Sequence, residues 1–69
     1  MKVICTKSDN DLWTVGETYN ATNEGSGYMS IGHTDDHNAG YNLVLIGYDN
    51  KLAIFNIPLT NIEFTESAL

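Results

Sequence analysis

The residues best equipped for chemistry are two imidazoles and two carboxylates gathered in His33-Thr34-Asp35-Asp36-His37. Imidazole nitrogen and carboxylate oxygen suit zinc or another first-row metal, and an imidazole also titrates near neutral pH. Gly32, Asn38 and Gly40 bracket the stretch and make it a loop, which leaves the donors without the supporting partners that orient imidazole in metal sites. The reading is therefore a solvated turn whose aspartates bond nearby backbone amides, with no metal and no cofactor. Cys5 lies inside the run Val3-Ile4-Cys5, the setting of a buried core thiol and not of a nucleophile activated by a neighbouring base. Asp9 with Asp11, and Asp35 with Asp36, stand among turn formers, away from the rigid scaffold an acid–base pair requires. Neither a dinucleotide-binding glycine pattern nor a Walker lysine occurs, so nucleotide chemistry has no support. No catalytic residue is assigned, and the protein is not expected to be an enzyme.

Charge gives a second lead. Nine acidic side chains stand against three lysines and no arginine, a formal net charge of −6. Phosphate neutralisation needs a basic face, so direct contact with nucleic acid is excluded, as is binding to an anionic membrane surface. A charge of this size keeps a small domain dispersed. It also lets carboxylates imitate a phosphate backbone and occupy the basic groove of a nucleic-acid-handling protein. A single cysteine allows no internal disulfide, and with no signal-like segment and no apolar run of spanning length the chain is expected to be soluble and cytoplasmic.

The elements that would hold these residues are strands. Residues 2 to 7 form a β-branched-rich run ending at the turn formers Ser8-Asp9-Asn10-Asp11. Leu12, Trp13 and Val15 place large apolar groups in the loop that follows, which should therefore fold back over the body of the protein. Gly16 then supplies a backbone conformation closed to other residues. Strands are expected at about 17 to 21 and 28 to 31, with 22 to 27 as a turn and 32 to 40 as a polar loop. Asn42 to Tyr48 and Lys51 to Ile57 are apolar runs joined by Asp49-Asn50 and read as a tight hairpin. Val44 and Ile54 are assigned to its core. Pro58 should end that strand in a short helical turn through Leu59-Thr60. Residues 61 to 65 alternate polar and apolar and should close against the first strand, leaving Glu66 to Leu69 frayed. The fold class is all-β, a single small barrel or roll of five to six antiparallel strands.

Lys2-Val3-Ile4-Cys5 followed by Trp13-Thr14-Val15-Gly16-Glu17-Thr18-Tyr19 resembles the amino-terminal pattern of short bacteriophage and prophage proteins with barrels of the Src-homology type, most without an assigned activity. The resemblance covers about the first third of the chain. It implies a viral origin and a cytoplasmic site of action in the host cell. Barrels of this type commonly meet partners between the loop after the first strand and the loop near the third, which singles out Trp13 and Tyr41. Seven aromatic side chains exceed the needs of so small a core, and tyrosine and tryptophan are favoured interface anchors. The expected partner-binding residues are Trp13, Tyr41, Asp9, Asp11, Asp35 and Asp36. The expected function is to bind and inhibit or redirect a host protein by mimicking nucleic-acid charge. The alternative is a structural or assembly protein that self-associates as a homodimer through its apolar hairpin.

Overall fold

The computed structural model describes residues 1–23, 29–32 and 40–67. Six strands follow one another along the chain: β1 (Lys2–Lys7), β2 (Thr18–Asn23), β3 (Met29–Gly32), β4 (Gly40–Asp49), β5 (Leu52–Asn56) and β6 (Glu63–Glu66). Each pairs antiparallel with the next, and β6 returns to β1, so the sheet closes into a small barrel. The all-β barrel read from the sequence is the fold observed.

The alternation of side chains along each strand decides which face is filled. Val3 lies opposite Tyr19, Ala21 opposite Ile31, and Phe64 opposite both Cys5 and Phe55. All of these are buried and, with Trp13, Leu43, Ala53, Ile57 and Ile62, they make one core. Lys2, Thr18, Asn20 and Thr22 point to water. Closure matters for a chain of this length, because a small domain buries little surface and the return of β6 to β1 removes most open sheet edges.

Several details depart from the sequence reading, beginning with the strand ends: Thr22 and Asn23 belong to β2, Gly32 to β3 and Gly40 to β4, where a turn and a loop were expected. The hairpin turn is Asn50-Lys51, one residue later than expected: both have positive φ, 55° and 71°, while Asp49 is paired with Leu52. Two consecutive left-handed residues are the geometry of a primed hairpin turn, which the twist of the flanking strands favours. Val44 is 48% exposed and is not a core residue, since burial of Leu43 sends its neighbour outward; Ile54 is half-buried. Residues 57–60 form a reverse turn instead of a helical one, closed by Thr60 N–H donating to the Ile57 carbonyl at 3.2 Å. Glu66 ends β6, its Oε1 accepting the Ala53 N–H at 3.2 Å, and Ser67 N–H donates to the Lys2 carbonyl at 2.9 Å. The barrel thus uses both residues, because β6 is the strand that closes it.

Two turns share one geometry and differ in one residue. In Thr14-Val15-Gly16-Glu17, Glu17 N–H reaches the Thr14 carbonyl at 3.1 Å and Gly16 has φ 94°. In Ile57-Pro58-Leu59-Thr60 the equivalent third position is Leu59 with φ 67°. Such turns want glycine there, and a side chain in the left-handed region costs about 1–2 kcal/mol. Glycine loses more backbone entropy on folding, which offsets about half of that. Leu59→Gly should therefore raise stability by about 0.5 kcal/mol and the melting temperature by a few degrees, while Gly16→Ala should lower both. Thermal unfolding followed by circular dichroism checks the pair, and a Leu59→Gly variant that melts earlier would show that the leucine makes a stabilising contact.

Candidate functional site

The carboxyl ends of β1, β3 and β5 and the amino ends of β2, β4 and β6 lie at one end of this barrel. That end is built from the β1–β2 loop upward. Ser8 Oγ donates to the Asn10 carbonyl at 2.9 Å, and Asn10 Oδ1 accepts Leu12 N–H at 2.9 Å, so short polar side chains bend the backbone where no ladder holds it. Gly16 N–H donates to the Cys5 carbonyl at 2.8 Å and Cys5 N–H to the Glu17 carbonyl at 3.0 Å, which returns the loop to β1. The Tyr19 hydroxyl accepts Thr14 N–H at 2.9 Å. The spacing from Thr14 through Gly16 to Tyr19 is thereby explained: the turn needs the glycine, and the tyrosine holds the backbone that enters it.

Trp13 is the plug of this end. Its ring meets Tyr19, Phe64 and Tyr41 edge-on, with centroids 4.9, 5.3 and 5.5 Å apart. Tyr19 and Phe64 also meet edge-on at 5.9 Å. These are the arrangements the ring quadrupoles favour. Trp13 is only 2% exposed, which corrects its assignment as a contact side chain: the energy of its burial goes into closing the barrel. Tyr41 is half-buried and packs against the core, so the structure does bring Trp13 and Tyr41 together, as neighbours in packing.

The other expected contact residues divide. Asp11 is exposed on the loop. Asp9 is exposed too, and its Oδ2 accepts Asn61 N–H at 3.3 Å, tying the β1–β2 loop to the β5–β6 turn. Within that turn Asn56 Nδ2 donates to the carbonyls of Thr60 at 3.1 Å and Ile62 at 3.0 Å. Asp35 and Asp36, with His33 and His37, lie outside the described residues. Among the described residues no group of three or more His, Cys, Asp or Glu side chains is placed to hold a metal ion.

Sequence reasoning missed Leu12, Val15 and Leu59 as surface features. Leu12 and Val15 were expected to fold inward with Trp13, yet both are exposed, and Leu59 is wholly so. Their signal was available only as an apolar residue beside turn formers, which does not tell inside from outside. Around them the described charges are uneven. Asp9, Asp11, Glu17 and Glu63 sit at this end with Lys7, whose Nζ is 4.0 Å from Glu63. At the opposite end Asp49 and Glu66 are matched by Lys2 and Lys51.

In comparisons with known proteins, no family model matches the chain, and neither a curated protein nor a solved structure matches it.

Two measurements test this arrangement. Trp13→Ala should cost about 3–5 kcal/mol, most of the margin of a small domain, and Trp13→Phe should restore part of it; native Trp13 emission should be blue-shifted and shielded from iodide. Cys5 is 1% exposed and burial pushes its thiol pKa up, a backbone contact with Lys7 opposing in part. The unfolded chain therefore ionises first. The stabilisation from keeping this thiol neutral is complete below the ordinary value of about 8.5 and fades as pH rises from there through the raised native value. Urea unfolding should show the wild type losing stability relative to Cys5→Ala over that window, and equal slopes would mean the thiol is not held in the core.

Proposed function

We propose that the protein is a non-catalytic binding protein whose loop end docks on a basic surface of a partner protein and blocks it. One observation carries the reading: exposed Leu12, Val15 and Leu59 share an end of the barrel with Asp9, Asp11 and Glu17, where Lys7 is the one described lysine. Apolar side chains rimmed by carboxylates fit a basic surface with apolar recesses, the charges steering the encounter and the leucines supplying buried area. A groove that handles nucleic acid has that chemistry. The resemblance of the amino-terminal pattern to small phage proteins supplies the setting, a host protein met in the cytoplasm. The contact side chains differ from those first expected: Asp11 stays, Leu12, Val15 and Leu59 join it, and Trp13 acts beneath them by holding the loop.

Capture from a bacterial lysate at about 50 mM and about 300 mM salt, with heparin as competitor, tests this. A partner retained at low salt, released by heparin and lost at the higher salt is the expected result. Asp11→Lys with Glu17→Lys should abolish capture without lowering the melting temperature, and Leu12→Ser with Leu59→Ser should weaken it about tenfold or more at either salt. Asp9 is left intact because its carboxylate holds Asn61. A partner indifferent to salt, heparin and charge reversal would overturn the proposal.

A further inference from the structure

The longest strand overshoots its neighbour. Among the described residues β3 pairs with β4 only from Gly40 to Leu43, whereas Val44 to Asp49 is paired on its other side alone, with β5. Over that overshoot Val44, Leu45, Ile46 and Tyr48 are exposed, Ile46 by 52%. Leu45 lies opposite buried Phe55 and is exposed nonetheless. The register skips Ile46 between Leu45 and Gly47, leaving it without a counterpart on β5. An apolar strand whose one edge is unpaired among the described residues is a template for another strand.

Charge decides what that strand is. From Gly40 to Tyr48 there is no charged residue, nor is there one from Leu52 to Asn56. The charges that flank these two runs at the hairpin tip, Asp49 and Lys51, are of opposite sign. A basic partner of the kind fitted to the loop end finds nothing to read here. A second copy does: two chains of net charge −6 can approach most closely where neither presents a carboxylate, and a strand edge is complementary to its own antiparallel copy about a two-fold axis. With the axis near Ile46, the exposed Val44, Leu45, Ile46 and Tyr48 of each copy border the same residues of the other, Val44 on one face of the joined sheet and Tyr48 on the opposite face, because the skipped residue reverses the alternation. We propose that the β4 edge from Val44 to Tyr48 pairs with the same edge of a second copy, making a homodimer that leaves both loop ends free.

This goes beyond the loop-end reading, and salt separates the two. Screening weakens a contact between an acidic end and a basic surface, but it relieves the repulsion between two acidic chains. Sedimentation equilibrium from about 5 µM to about 500 µM, at about 50 mM and about 500 mM salt, should show the mass rising from 7.6 kDa towards twice that value. The transition should fall at several-fold lower concentration in the higher salt. Ile46→Lys sets like charges together at the axis and should stay monomeric. Val44→Thr with Tyr48→Thr keeps strand propensity should the lysine unfold the domain, and it should weaken association about tenfold or more. Amide exchange should slow with concentration at residues 44–48. A monomer at every concentration and salt, a dimer indifferent to both variants, or protection gained elsewhere would each overturn the proposal.

Discussion

Trp13 enters the barrel from a connection, not from a strand, and three rings borne on β2, β4 and β6 receive it edge-on. A single indole thus joins strands that are not adjacent in the sheet, and it does so at the end where the β1–β2 loop lies. The surface above depends on this seat. Leu12 and Val15 face water because Trp13 between them faces in, and the Asp9 carboxylate meets Asn61 only where the loop lies against the β5–β6 turn. Loops normally carry contacts on a rigid scaffold that they do not help to build. Here the loop supplies part of the scaffold.

That economy follows from size. A chain of 69 residues leaves little interior to any one element, since the buried fraction falls with length. Closing the sheet removes most open edges, but the strands are unequal, β4 running from Gly40 to Asp49 while β3 covers only Met29 to Gly32. The overshoot has no wall behind it among the described residues, and this is why Leu45, on the same face as buried Leu43, stays exposed. Among the described residues, the length mismatch that leaves β4 without a β3 partner beyond Leu43 is therefore also the source of the apolar edge.

Local chemistry made much of this fold legible in the sequence. Period-two alternation in Val3-Ile4-Cys5 and in Glu63-Phe64-Thr65 marks strands whatever their neighbours, and Gly16 announces a backbone conformation that its φ of 94° confirms. Partition between inside and outside was less readable. Leu43-Val44-Leu45-Ile46 is apolar at every position, so nothing in its composition tells that Leu43 is buried while Leu45, on the same face, is not; the extent of β3 among the described residues decides that. Trp13 posed the same problem in reverse. Tryptophan serves cores and interfaces equally well, and only the three rings around it settle the matter. The hairpin was legible as a hairpin but not in register, because Asp49, Asn50 and Lys51 offer overlapping pairs, and the choice falls to the ladder on either side.

The two surfaces left by these constraints are chemically opposite. Carboxylates gather with isolated apolar side chains where the loops are, and charge is absent along the β4 edge. Net charge acts over the whole molecule but is screened within about a Debye length, so its effect on any contact depends on where the charges sit and not on their sum. At the loop end the excess attracts whatever is basic and repels a second copy. Along β4 no local charge attracts or repels, so shape and burial decide the contact, while the overall repulsion between two chains of net charge −6 still opposes it and is relieved by screening. Two such surfaces on one small barrel can be filled at the same time by different occupants, and because their electrostatics have opposite sign, a change in ionic strength that favours one disfavours the other.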